Sequence, residues 1–241
     1  MQKEQQSVFC HYRKNGYFYQ KPFYFIMKKF ILLIGIILPF VFSSCGDDND
    51  EPESKKKHDY VDLGLPSGAL WATCNIGANT PEEYGYYFAW GETKPKDVYS
   101  EENYKWPDYS KYNNTDNKTV LDPEDDAATV NWGSQWRMPT KEEQDDLCKY
   151  CTWQWTQRNG VNGYWVTGPN GKSIFLPAAG QRVGSTIESE GTFGMIWSRT
   201  GSSNYAYYLF FSPGGVHYEH KELRNIRYFG FTVRAVRVWQ N

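Results

Sequence analysis

An α+β fold of short, twisted antiparallel strands with two short helices is what this sequence predicts, and three observations carry the expectation. Aromatic residues make up 18% of the 241 residues, and all ten tryptophans lie between Trp71 and Trp239. Rings at that density suit a core of short strands, because each buries a large area. Thr140 and Glu143 have the T-x-x-E spacing of a capping box, in which the hydroxyl accepts from the backbone N–H three residues on and the carboxylate reaches back. A helix therefore starts at about Lys141, and Pro139 stops any helix from entering ahead of it. Finally, Trp132 and Trp136 flank the tight Gly133-Ser134 turn beside that helix start, the composition of a core corner.

The elements follow in order. Tyr60–Leu63 and Ala69–Thr73 read as short strands joined by the Gly64-Leu65-Pro66-Ser67-Gly68 turn. Tyr86–Trp90 is a third, strongly aromatic strand. Residues 93–118 are polar with scattered tyrosines and no period, and read as a long surface loop. Asp122 is a good N-cap, Pro123 suits the first helical position, and Glu124, Asp125 and Asp126 fall in a first turn where the helix dipole favours acids. Gly133 ends that helix. Tyr164–Thr167 and Ser173–Leu176 form a hairpin around Gly168-Pro169-Asn170-Gly171, a turn with Pro at its first central position. Met195–Ser198 and Tyr205–Phe211 are further strands, with Val216–His220 a weaker one. Phe231–Trp239 closes the domain, with Phe231, Val233 and Ala235 on one face and Thr232 and Arg234 on the other. Arg237 then falls on the Phe231 face. Either a bulge shifts the register, or Arg237 is a half-buried charge with a carboxylate partner; the second is preferred.

The amino-terminal part reads as targeting sequence. Lys28 and Lys29 after Met27 make a charged n-region, and Phe30–Phe42 is an apolar run too short for a comfortable membrane span. Residues 27–44 are therefore expected to be a signal peptide, with residues 1–26 a non-native extension ahead of the true start at Met27. Residues 45–58 are polar and charged, cannot bury a core, and are expected to be a disordered tether. Residues 59–241 remain for the folded domain. The cysteines of that mature chain would be Cys45, Cys74, Cys148 and Cys151, in an oxidising compartment. Cys148 and Cys151 are three apart, but no second pair or suitably spaced histidine accompanies them, so zinc is not expected. A Cys74–Cys151 disulfide, or alternatively Cys74–Cys148, is expected.

Trp136-Arg137-Met138-Pro139-Thr140 with Glu143 resembles the Fibrobacter succinogenes major paralogous domain, a frequent component of lipoproteins in Bacteroides-type bacteria and a relative of the C-type-lectin-like fold. Asp62-Leu63-Gly64-Leu65-Pro66-Ser67-Gly68 with Leu70-Trp71-Ala72 resembles it too, as do Tyr87-Phe88-Ala89-Trp90-Gly91-Glu92, Asp125-Asp126-Ala127-Ala128, Trp197-Ser198, and Val233-Arg234 with Val236-Arg237. The resemblance covers about residues 59–239. It implies a C-type-lectin-like fold with the first and last strands adjacent, which is why a buried partner for Arg237 is preferred. Gln144 departs from it, standing where an aromatic is expected. Phe42-Ser43-Ser44-Cys45 resembles a bacterial lipobox, which implies lipidation at Cys45 and anchoring in the outer membrane. The acids following Cys45 resemble a surface-export signal, which implies exposure on the cell exterior.

Little in the chain points to catalysis. A net charge of −2 gives no case for nucleic acid. The acids Asp122, Glu124, Asp125 and Asp126 lack the alternate spacing and glycine turn of a calcium loop, so no metal and no cofactor are expected. Sugar-chelating lectins carry Glu-Pro-Asn or Gln-Pro-Asp and Trp-Asn-Asp tripeptides, and none occurs here. Formylglycine-generating oxidases share the related fold and carry an active cysteine in the last strand, but Gly230-Phe231-Thr232-Val233-Arg234 has none. His11 and His58 fall outside the folded part, and His217 and His220, on a loop or edge strand, read as solvated. The expected function is a lipid-anchored, non-catalytic binding module for a glycan or a surface protein. Trp153 and Trp155, with Tyr205 and Tyr207, are the candidate ligand surface, although burial of both tryptophans in the core is the plainer reading. A structural or adhesive part in a surface assembly is the alternative.

Overall fold

The computed structural model describes residues 58–113, 115–217 and 224–237. The Met27 start, the signal segment, Cys45, the tether through residue 57, His220 and Trp239 lie outside the described residues. In chain order the first elements are β1 (Tyr60–Asp62), β2 (Leu70–Asn75), β3 (Tyr87–Phe88), α1 (Ala127–Trp132) and α2 (Lys141–Tyr150). They are followed by β4 (Thr152–Arg158), β5 (Val161–Thr167), β6 (Ser173–Pro177), β7 (Gln181–Val183) and β8 (Thr186–Glu188). Last come β9 (Gly194–Ser202), β10 (Tyr205–Ser212), β11 (Gly215–His217), β12 (Arg224–Ile226), β13 (Phe231–Thr232) and β14 (Arg234–Arg237). Among the described residues, four open sheets with two short helices make this the expected α+β class.

The sheets run β1-β2-β14, β11-β10-β9-β13-β3 with β12 also on β10, β4-β5-β6, and β7-β8. The last strand therefore pairs with β2 and not with β1, so the first and last strands share a sheet but are separated by one strand. The β5–β6 hairpin forms as expected, with Gly171 N donating to Gly168 O at 2.9 Å across its turn.

Central strands β9 and β10 serve two cores at once. Met195, Trp197, Ala206 and Tyr208 enter one cluster, while Ile196, Leu209 and Phe211 enter the other. This is the period-two alternation of a strand covered on both sides, so it reads as a continuous apolar run. In the first cluster Trp197 stacks on Phe231 at 4.0 Å. Val233 and Ala235 join Phe231 there, as the alternation predicts. Burying one such ring completely is worth about 2–3 kcal/mol.

Three local expectations need correction. Asp122 precedes only a 3-10 turn, Pro123–Asp125, and its side chain makes no cap bond. Asp126 is the N-cap of α1 instead, accepting from Ala128 N at 3.0 Å and Thr129 N at 3.1 Å, and α1 ends at Gly133, whose φ is +96°. Second, the polar loop over residues 93–118 is not simply a surface loop. It carries Tyr99, Tyr104 and Tyr112 inward, and Tyr104 donates to Trp90 O at 2.8 Å. Third, Gln144 is fully buried without being aromatic, because its Nε2 donates to Ile196 O at 3.0 Å and so ties α2 to β9.

Candidate functional site

The tryptophan corner assembles as its sequence implies. Thr140 Oγ1 accepts from Glu143 N at 3.2 Å, and Glu143 Oε2 accepts from Thr140 N at 2.8 Å. Glu143 also accepts a two-pronged bond from Arg137, with both oxygens 2.6 Å from guanidinium nitrogens. Trp132 and Trp136 meet edge to face at 5.2 Å. His58, expected outside the folded part, stacks on Trp132 at 3.7 Å. Arg237 is half-buried on the Phe231 face, as one reading required, but its partners are rings: its Cζ lies 4.9 Å from the Tyr60 ring centre and 5.7 Å from that of Trp136. No carboxylate pairs with it among the described residues. The β14–β2 pairing is irregular between Arg234 and Val236.

Trp153 and Trp155 do share a face of β4, and that face is turned to the core. Both meet Tyr164 edge-on, at 5.4 and 5.0 Å, and Trp153 Nε1 donates to Leu147 O at 3.1 Å. Half-buried rings engaged in this way offer no open stacking platform. Tyr205 is exposed on β10, and Tyr207 is half-buried with Lys141 Nζ 5.7 Å from its ring. The expected disulfide is not formed: Cys74, Cys148 and Cys151 are free. Cys148 and Cys151 belong to the cluster that holds Trp71, whereas alternation along β2 puts Cys74 on the opposite face from Trp71. Burial pushes the Cys148 thiol up to about 12 and the Cys151 thiol to about 11.

Carboxylates of Asp122, Glu124 and Asp125 gather within 4.8 Å of one another. Glu124 and Asp125 do fall in the first turn of the 3-10 segment, and cationic neighbours hold the cluster as well. Lys105 and Lys111 each approach Asp125 to 2.5 Å, Tyr112 donates to it at 2.6 Å, and Lys118 reaches Asp122 at 2.7 Å. Burial raises the Asp125 carboxyl, but its bonds from Lys105, Lys111 and Tyr112 outweigh that and hold it below the usual carboxylate range. Ammonium groups thus supply the positive charge that a cation would bring.

One concavity was not singled out by the sequence. A groove of about 450 Å³ is lined by Tyr84, Tyr86, Tyr87, Tyr99, Arg182 and Ile187, with Pro95, Lys96 and Asp97 along one side. Three distant segments build it. Tyr99 bridges to Gly184 and Arg182 bridges to Gly230, which fastens the 95–99 loop and β7 against the β3 region. Tyr87 donates to Ala179 O at 2.6 Å, and Tyr99 donates to Tyr87 O, so the floor is rigid. Desolvation raises both phenols. Tyr86 and Ile187 stay exposed at the mouth. Tyr86 lies across Gly77, whose φ is +84° and where a Cβ would come within 2.5 Å of the ring. Arg182 has a buried Nε without a hydrogen-bond partner and its Cζ 5.7 Å from the Tyr87 ring centre. The groove therefore combines ring surfaces with the charged side chains of Arg182 and Asp97, a set suited to holding a polar ligand with an apolar face.

No protein-family model, curated protein or solved structure matches the chain.

Proposed function

We propose that this chain is a lipid-anchored, non-catalytic binding module on the outer membrane, facing the cell exterior and recognising a glycan through the tyrosine groove. The reading takes the folded domain as a C-type-lectin-like relative of the Fibrobacter succinogenes major paralogous domain, on the motif resemblance alone, and Cys45 as the lipid-bearing residue. The groove carries it. An exposed Tyr86 ring can stack on the apolar face of a sugar, while Arg182 and Asp97 meet hydroxyls. A protein ligand in the same groove, with the chain as an adhesive component of a surface assembly, is the second reading; exposed Ile187 beside Tyr86 favours it. An oxidase relative draws no support from Cys148 and Cys151, since thiols held that high are poor nucleophiles at neutral pH.

Glycan-array binding by the full-length protein in detergent tests the proposal. A glycan-specific signal that Tyr86→Ala weakens about tenfold, the worth of one stacked ring, is the expected result. Binding that survives Tyr86→Ala overturns the groove assignment. Retention of purified surface proteins, without glycan signal and lost in Tyr86→Ala, favours the assembly reading. Palmitate labelling that persists in Cys45→Ala refutes the anchor.

A further inference from the structure

A second cavity, of about 280 Å³, lies at the helix corner and shares no lining residue with the tyrosine groove. Arg137, Arg199 and Arg237 all line it, together with Trp136, Thr129 and Gln135. Their donors are unequally engaged. Arg137 is taken up by its fork on Glu143 and by Met138 O at 3.1 Å. Arg199 donates one bond from Nη2 to Leu121 O at 2.6 Å, and its buried Nε has no hydrogen-bond partner. Asp126 Oδ2 is 3.6 Å from that Nε, an ion-pair distance but too long for a hydrogen bond. The Asp126 oxygens are already taken by the N–H groups of Ala128, Thr129 and Met138. Arg237 likewise has a buried Nε without a partner.

Charge points the same way. Arg137 pairs with Glu143 and Arg199 with Asp126, while Arg237 has no carboxylate partner among the described residues, which leaves one positive charge in excess. Desolvation works against the charge on Arg199, with Asp126 offsetting part of the cost. A concentration of cations with unengaged buried donors is stabilised by an anion that accepts from them. The ring of Trp136, nearly buried, supplies an apolar wall.

We propose that this pocket binds one oxyanion group of an acidic ligand, a carboxylate or a sulfate, between Arg199 and Arg237. The ligand's oxygens take the unengaged guanidinium donors, and its adjoining carbon skeleton lies along Trp136.

Calorimetric titration of the full-length protein in detergent, at constant ionic strength set with chloride, tests this with sodium sulfate, sodium glucuronate and neutral glucose. Saturable heat with sulfate or glucuronate and none with glucose is expected, and the tighter of the two assigns the group. Arg237→Gln should weaken binding about tenfold or more, the worth of hydrogen bonds to a charged group. Gln135→Glu changes an exposed lining residue and leaves the corner intact, so it serves if Arg237→Gln fails to fold; its added charge should also weaken binding about tenfold. Tyr86→Ala should leave the anion titration unchanged, which separates this site from the groove. Heat no different from added chloride, or equal affinity in Gln135→Glu and the parent, overturns the proposal.

Discussion

Cutting the fork between Arg137 and Glu143 should be the costliest single change at the helix corner, and the cost can be assembled from its parts. Glu143 accepts from two Arg137 nitrogens at 2.6 Å and from Thr140 N at 2.8 Å. Its side chain is 9% exposed and that of Arg137 is 22% exposed. The return bond of the capping box contributes about 1 kcal/mol. Removing one partner of a fully buried ion pair costs about 3–5 kcal/mol. Arg137 keeps some access to water, so about 2 kcal/mol is the appropriate share here. Glu143→Ala should therefore destabilise by about 3 kcal/mol, whereas Glu143→Gln, whose amide oxygen can still serve Thr140 N, should cost about 2 kcal/mol. Thr140→Ala, which loses only the bond from Glu143 N, should cost about 1 kcal/mol. Urea unfolding followed by circular dichroism reads these as shifts in midpoint at constant m-value. If Glu143→Ala costs no more than Thr140→Ala, the fork behaves as a screened surface pair and the reasoning fails.

Two further outcomes follow from the electrostatics. Asp125 is held below its ordinary value when folded, so its contribution is complete above the unfolded value and is lost as pH falls through the folded one. Thermal unfolding of Asp125→Asn should show a deficit of about 2 kcal/mol that is constant from about pH 8 to 5 and closes below about pH 4; a deficit that persists in acid contradicts the assignment. Cys148 and Cys151, with thiols raised by burial to about 12 and 11, should label slowly with a disulfide reagent at pH 8 in the folded protein and rapidly in urea, as read by peptide mass spectrometry. Rapid labelling of the folded state would show that their burial is misjudged.

The features legible in the sequence are those whose partners are close along the chain. The Thr140–Glu143 box and the Gly168–Gly171 turn each span four residues, and the face shared by Phe231, Val233 and Ala235 needs only period two. Buried arginines left no such trace. Arg234 is fully buried, yet it donates to Asn75 Oδ1 at 2.8 Å, Ala72 O at 3.0 Å, Thr73 O at 2.7 Å and Phe175 O at 3.0 Å. It thereby fastens β2 and β14 to β6. Arg227 is equally buried, with its Cζ 4.5 Å from the Trp90 ring centre and bonds to the carbonyls of Tyr205, Lys111, Tyr112 and Ser203. Backbone carbonyls are identical at every position, so a cation satisfied by them reads in the sequence as a solvated charge. The half-burial of Arg237 was one of two readings that strand alternation left open, a register shift being the other, and the β14–β2 pairing does shift between Arg234 and Val236.

The same distinction explains why the expected ligand surface and the observed groove differ. Trp153 and Trp155 attract notice because they lie two apart in one segment. Proximity that suits a platform also suits a strand's inner face, and contact with Tyr164 decides for the latter. The groove draws on residues 84–87, 95–99 and 182–187, none of which has a periodic signal of its own. Its assembly depends on two isolated backbone bridges, Tyr99 to Gly184 and Arg182 to Gly230. Ring richness suited a core of short strands, yet several tyrosines remain exposed, since a ring with a polar tip is tolerated at a boundary with water. Which tyrosines those are is set by the pairing of segments about ninety residues apart in the chain, through the bond from Tyr87 to Ala179 O. A sequence reading that ranks aromatic residues by spacing will therefore favour core positions, and it passes over a groove whose tyrosines are brought together by segments distant along the chain.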